Sequence, residues 1–389
     1  MISEEPFWKL GFINTLKLRS AYGVSGLQPD VFTALRTFQP ITGTGDQAAV
    51  TPQLIGNPDL KPERGTELEV GFDAMAFNRL SLEFTYFNKK TKDAILLRPV
   101  APSLGFPGSQ YVNIGEVSNH GLEARATLQA LTRDNFSWEI TGNVGTTKDK
   151  IENLGGIPFI SLFPPVQRHV QGYPIGGFWA KRVTSATLDA NGKAQDLQCD
   201  GGPGAAPMPC AAAPVVFLGT ITPKATGAVA NTFTFWKQLS LYALVDFKNG
   251  NKILDANEYA RCAALSVCEV NVRPEKYDPR YVANAQNGSS LVIADEFIHD
   301  ASFAMLREVS ATYSLPEKYA RYARATRASF TLAGRNLHRW TGFKGLDPES
   351  RSLLTTSSIT PAANPFQSTF DQAVTPTLAQ FIATLNLTF

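Results

Sequence analysis

Polar and apolar positions alternate with period two over segment after segment of this chain. Leu68, Val70 and Phe72 alternate with Glu67, Glu69 and Asp73, and Leu80, Leu82, Phe84 and Tyr86 with Ser81, Glu83 and Thr85. Leu122, Ala124, Ala126 and Leu128 are separated by Glu123, Arg125 and Thr127. The same alternation runs through Leu16, Leu18 and Tyr22, through Trp138, Ile140 and Val144, through Leu239, Leu241, Ala243, Val245 and Phe247, and through Ala328, Phe330 and Leu332. It ends the chain: Ala379, Phe381, Ala383, Leu385, Leu387 and Phe389 fall on one face, and Gln380, Thr384, Asn386 and Thr388 on the other, with only Ile382 out of place. Side chains two apart share a face of a strand, so each segment predicts a strand with one apolar and one polar face. No helical periodicity of comparable length appears. The predicted class is all-β.

Connection lengths sharpen this. Phe77-Asn78-Arg79, Thr132-Arg133-Asp134-Asn135 and Trp236-Lys237-Gln238 read as tight turns, and 316–325 as a slightly longer one. Between them lie long Gly/Pro-rich stretches at 25–64, 91–112, 148–222, 249–300 and 338–377. Structureless loops of that length are uncommon in compact soluble domains, whereas short periplasmic turns alternating with long extracellular loops characterise transmembrane barrels. Upward strands are expected at 12–24, 80–90, 136–147, 239–248 and 326–337, and downward ones at 65–76, 113–131, 223–235, 301–315 and 378–389. Ten crossings bring the chain to the periplasmic side, with Phe381, Leu385, Leu387 and Phe389 as an aromatic, apolar ending of the kind that the barrel-assembly machinery reads. The segment Gly177-Phe178-Trp179-Ala180-Lys181-Arg182-Val183 also reads as a strand but breaks the parity. It belongs either to an extracellular excursion or to an extra pair of crossings. Aromatic residues near expected strand ends (Trp8, Tyr86 with Phe87, Phe235 with Trp236, and Trp340) suit an interfacial girdle or ordinary packing.

Composition agrees with strands in lipid. Only 18% of the 389 residues are charged, 43% are hydrophobic, and Phe alone accounts for 25. No apolar run approaches the ~18 residues a transmembrane helix needs. The net charge of +2 gives no nucleic-acid footprint. Met1-Ile2-Ser3-Glu4-Glu5 shows neither the basic nor the apolar region of a signal peptide. The chain is therefore read either as cytoplasmic or as the C-terminal part of something longer.

Candidate chemistry is sparse. His120, His169, His299 and His338 are scattered, with no pair at metal-ligand spacing. No nucleophile elbow, P-loop or dinucleotide fingerprint occurs. Asp189-Ala190-Asn191-Gly192-Lys193 resembles a calcium loop only in part, and Asn135-Phe136-Ser137 is a formal sequon; both read as turns, as does Asp347-Pro348-Glu349. Catalytic, cofactor and metal residues are expected to be absent, and the chain is not expected to be an enzyme. Cys199 and Cys210 share one long loop and Cys262 and Cys268 another, both on the oxidising side of the direction count. They predict two bridges, Cys199–Cys210 and Cys262–Cys268; free thiols are the alternative. The loop aromatics Tyr111, Tyr173 and Phe343 are placed to stack on sugar rings or to pack the loops, and packing is expected.

An ordered series of motifs then carries a family resemblance. Lys17-Leu18-Arg19-Ser20-Ala21-Tyr22-Gly23-Val24-Ser25-Gly26 resembles a strand motif of TonB-dependent outer-membrane receptors of the SusC/RagA type. Asn57-Pro58-Asp59-Leu60-Lys61-Pro62-Glu63, Asn113-Ile114-Gly115-Glu116-Val117-Ser118-Asn119-His120-Gly121-Leu122-Glu123 and Thr222-Pro223-Lys224 are similar to later stretches of that family. Ala301-Ser302-Phe303-Ala304-Met305-Leu306-Arg307, Gly334-Arg335-Asn336-Leu337 and Trp340-Thr341-Gly342-Phe343-Lys344-Gly345-Leu346-Asp347-Pro348-Glu349 continue it in order. The resemblance implies a bacterial outer-membrane barrel of about 22 strands closed around a plug. It also implies uptake of oligosaccharides or peptides, energy from the TonB complex acting on the plug, and a SusD-like lipoprotein lid. The first residues, Ile2-Ser3-Glu4-Glu5-Pro6-Phe7-Trp8-Lys9, look like a mid-barrel stretch. On that reading residues 1–389 are the C-terminal portion of a receptor whose signal peptide, TonB-contacting segment, plug and N-terminal strands lie elsewhere. The competing readings are a soluble β-rich carbohydrate-binding protein and a passive porin.

Overall fold

The computed structural model describes residues 2–5, 8–106, 109–162, 166–288, 292–349, 370–371 and 375–389. Pro6 and Phe7 of the first motif, and most of the last long connection, lie outside the described residues. Ten long strands form one antiparallel sheet: β1 (Ile13–Leu27), β2 (Glu63–Ala76), β3 (Leu80–Pro99), β4 (Ser109–Arg133), β5 (Phe136–Asn153), β6 (Ala225–Phe235), β7 (Leu239–Asn249), β8 (Phe303–Leu315), β9 (Arg327–Thr341) and β10 (Gln380–Thr388). Each pairs with its neighbours in chain order. This is the expected set of crossings, with short turns at one end and long loops at the other.

Register explains why the pattern was so regular. One row of mutually paired residues reads Leu18, Phe72, Phe84, Ala124, Val144, Gly227, Phe247, Ala304, Trp340 across nine strands. The next row reads Lys17, Asp73, Glu83, Arg125, Asn143, Ala228, Asp246, Met305, Arg339. A slip of one residue anywhere would carry charges onto the apolar face, so patterning fixes the pairing. The apolar face is uncovered: Leu18 is 59% exposed and Phe381 83%. A continuous bare apolar face of that extent is what a sheet presents to lipid.

Some boundaries differ from expectation. The loop expected at 91–112 shrinks, because β3 runs to Pro99 and β4 starts at Ser109. The charged run Lys89-Lys90-Thr91-Lys92-Asp93 hid the continuation. Asp93 takes a left-handed conformation (φ 55°), and the pairing register shifts there between Thr91 and Ala94. A bulge of this kind lengthens a strand while breaking its alternation. Tyr86 and Phe87, expected at a strand end, consequently lie mid-strand. Phe87 sits over Gly121, where an added Cβ would come within 1.9 Å of the Thr146 carbonyl oxygen.

The two longest connections, between β5 and β6 and between β7 and β8, fold together into a cap with its own core. Val166, Phe178, Ala180 and Ile221 of the first pack with Leu254, Val270, Val282 and Phe297 of the second. Gly177–Ala180 belongs to a small four-stranded sheet inside the first connection, which places the parity-breaking segment in an excursion. The second connection carries short helices, the longest being Pro279–Gln286.

Candidate functional site

The polar face of the sheet and the cap above it are the two candidate working surfaces. Along the wall, Arg19 pairs with Asp73 at 2.8 Å and donates to Thr85 Oγ1 at 3.0 Å. Arg19 and Thr85, with Glu83, Glu123, Arg125, Asn143, Asp246 and Lys248, line one concave polar groove. Cations and carboxylates are interspersed there, so the groove has no single sign.

The motifs that carried the resemblance turn out to be clasps at strand irregularities. The Asn113 side chain accepts from Lys61 N at 2.8 Å and donates to the carbonyls of Lys61 and Asp93 at 2.7 and 2.8 Å. It thereby ties the entry to β2 to the β3 bulge. Asn57 Nδ2 donates to the Tyr111 carbonyl at 2.8 Å, and Glu63 accepts from Ile95 N at 2.7 Å. On the other side of the sheet, register shifts between Leu306 and Glu308 put Arg307 in a bulge. Arg307 grips Asp246 with two nitrogens (2.7–3.2 Å), Glu349 at 2.9 Å and Asn336 at 3.2 Å. Asn336, itself left-handed (φ 53°), donates to the Leu378 carbonyl at the entry to β10. Buried Asp347 takes Arg339 at 3.0 Å and the backbone N–H groups of Glu349 and Thr377. Asp347 and Glu349 therefore hold different arginines around a turn and do not act as a carboxylate pair. Bidentate guanidinium–carboxylate geometry is strong and directional, which suits it to fixing a bulge.

In the cap, Cys199 is bonded to Cys210 and Cys262 to Cys268. Tyr173 packs on Trp179 and Phe217, and Phe343 is buried beside His299. Asp189 Oδ1 accepts from Asn191 N and Lys193 N, the hydrogen bonding of a turn.

Sequence spacing did not reveal one cluster. Asp255, Glu258 and His299 bring one ligand atom each within 4.8 Å of one another. His299 Nε2 lies 2.8 Å from Glu258 Oε2, and Tyr281 donates to Glu258 Oε1 at 2.6 Å. Asp255 caps a helix by accepting from Glu258 N at 2.8 Å. Burial pushes the Asp255 carboxyl up. It also acts to raise Glu258, but the hydrogen bonds from His299 and Tyr281 outweigh it and hold that carboxyl below its usual range. A hard cation would fit this donor set only by displacing those bonds, so the cluster reads as an internal tie.

A second polar tie joins the two cap connections. Asp295 accepts from Val183 N of the first at 3.2 Å and from Asn284 Nδ2 of the second at 3.1 Å. Burial raises its pKa to about 6. His169, buried, accepts from Gly176 N at 3.1 Å, and burial lowers its pKa to about 4. His120 and His338 lie on β4 and β9, apart from this cluster.

Residues 4–337 match the family model described as TonB dependent receptor-like, beta-barrel. The chain is similar to TonB-dependent receptor P3 of Formosa agariphila, 28% identical over 369 residues, covering 87% of this chain and 36% of the relative. It is 23% identical to TonB-dependent receptor SusC of Bacteroides thetaiotaomicron over 393 residues, covering 90% of this chain and 37% of that one. In fold it resembles the RagAB peptide importer in its closed-closed state, with TM-score 0.78 at 21% identity, over 100% of this chain and 42% of the solved one. The chain spans a little over a third of the length of the curated relatives it matches.

Proposed function

Because the chain belongs to the TonB-dependent receptor-like β-barrel family, transporters of the bacterial outer membrane rather than enzymes, we propose that it serves as the closing wall and extracellular cap of a nutrient importer. The observation that carries this is the ten-stranded sheet with a bare apolar face on one side and a charged groove on the other. Among the described residues its two outer strands, β1 and β10, each pair on one side only. Unpaired edges in lipid cost several kcal/mol per group, which favours a larger closed barrel in which these strands find partners. On this reading residues 1–389 are the C-terminal portion of a barrel of about 22 strands around a plug. The signal peptide, plug and TonB-contacting segment belong to the remainder of the receptor.

The substrate class is oligosaccharide or peptide. TonB acts through the plug, a SusD-like lipoprotein covers the extracellular mouth, and the assembly machinery reads Phe381, Leu385, Leu387 and Phe389. The first three of these residues stand on the exposed apolar row, opposite Gly334, Phe330 and Ala328. The test is uptake of labelled oligosaccharides and peptides by cells carrying the whole receptor. Uptake should vanish on deleting residues 239–389 and on removing TonB. Flux that persists without TonB would replace the importer by a passive pore.

A further inference from the structure

The short-turn end of the wall carries a feature that neither the transport reading nor the clasps use. Four hairpin turns close the sheet there, and each pairs exposed cations with exposed aromatic or apolar groups. Phe77 and Arg79 lie in the first, Arg133 beside Leu131 in the second, Trp236 and Lys237 in the third, and Lys318, Tyr319, Tyr322 and Arg324 in the fourth. Trp236 is 64% exposed and Tyr322 87%. The four turns together hold six cations against two carboxylates, Asp134 and Glu317. Glu317 is already paired with Arg321. Among the described residues, Arg79, Arg133, Lys237 and Arg324 have no ion-pair partner. The excess is not general to the connections: the one at 250–302 holds eight carboxylates against five cations.

The second and third turns join laterally, Trp236 N donating to the Asn135 carbonyl at 2.9 Å. Gln238 in turn accepts from Ser314 N at 2.8 Å, which carries the third turn across to the last hairpin. They begin where the apolar face ends. Phe235, beside Trp236 at 5.9 Å, packs in a tilted arrangement against Phe136 at 5.1 Å on that face. Cations just beyond an apolar band, interleaved with amphipathic rings, lie at the level of phospholipid headgroups.

We propose that these four turns form a collar that recruits anionic phospholipid from the periplasmic leaflet, its phosphates held by Arg79, Arg133, Lys237 and Arg324 and its glycerol region by Trp236 and Tyr322. Charge complementarity selects the lipid, and the adjoining apolar band makes the partner a bilayer rather than a soluble acidic polymer. This inference rests on the membrane reading of the wall.

The test uses the whole receptor that contains this chain, expressed in an outer membrane and extracted in a nonionic detergent. Retained phosphatidylglycerol and phosphatidylethanolamine are quantified by mass spectrometry relative to the membrane supplied. Each engaged cation is expected to favour the anionic lipid roughly fivefold. The double variant K237Q/R324Q should lose most of that enrichment. The charge-conserving K237R/R324K and the cap variant R273Q/K276Q should keep it. A chain missing from the membrane fraction would overturn the membrane reading and the collar together. A chain in the membrane with no anionic enrichment, or with enrichment unchanged in K237Q/R324Q, would overturn the collar alone.

Discussion

The wall and the cap use the same residue types in opposite ways. Phe381 on β10 is 83% exposed, while Phe178 in the cap is fully buried. The wall leaves its large apolar side chains outside and relies on a surrounding solvent to take them. The cap gathers its apolar residues from two connections into a protein interior, closed by two disulfides and buried polar ties. Hydrophobic stabilisation therefore comes from lipid in one region and from packing in the other. A perturbation should register in one and spare the other.

The largest separation is expected from truncating the two phenylalanines. F178A should cost the cap about 3–5 kcal/mol, the usual range for emptying a buried aromatic site. F381A removes a ring from a surface and should leave cap exchange unchanged. Hydrogen exchange of cap amides in the detergent-solubilised protein measures both, and equal losses would erase the distinction. Slightly smaller is the effect of charge on the wall. V245R places a guanidinium in the apolar row and should destabilise the assembled sheet by about 2–4 kcal/mol, whereas T312R on the polar face should be tolerated. Urea unfolding from lipid vesicles reads the difference.

Next come the bridges. The C199S/C210S pair opens a loop of sequence separation 11 and should loosen the cap by roughly 3 kcal/mol, and C262S/C268S, with separation 6, by about 2. Protease cleavage should then fall within the affected connection, with the wall still resistant to heat in detergent.

The smallest net effect is pH. Asp295, raised to about 6, contributes stability that is full below its unfolded value of 3.8 and is lost as pH rises through 6. His169, lowered to about 4, contributes stability that is full above 6.5 and is lost as pH falls toward 4. Each swing is about 3 kcal/mol, and the two oppose over nearly the same window. Cap stability, read from exchange corrected for the intrinsic amide rates, should thus be almost flat between pH 4 and 6.5. D295N should expose a cap that weakens on acidification, and H169Q one that strengthens. Parallel profiles in the two variants would show that neither group is buried as described.

The same contrast explains what could be read from sequence. All ten wall strands were legible because one face touches lipid and the other polar groups, which forces alternation. Prediction failed where a bulge interrupts alternation, as at Asp93, since a left-handed residue amid lysines reads as loop. The cap was legible as long connections holding paired cysteines and one strand within 177–183. Its core residues, such as Phe178 and Val282, follow no period, because they pack across chain separations of about a hundred residues. For the same reason Glu258 and His299, 41 residues apart, gave no motif. The motifs themselves were visible, but their role as clasps was not: Arg307 and Asn336 meet only once both strands have bulged.

The latch between the cap connections has a mechanical consequence. Val183 and Asn284 share Asp295, so the two connections respond to a pull as one plate. That plate is joined through the chain to four neighbouring strands, β5 to β8. A load applied to the cap is delivered as shear to those four ladders, and also passes to the last connection through the short parallel pairing of Leu254 and Asp255 with Phe370 and Asp371. The outer strands on either side, which carry the Asn113 and Asn336 clasps, are left as the stiff frame against which the plate can tilt.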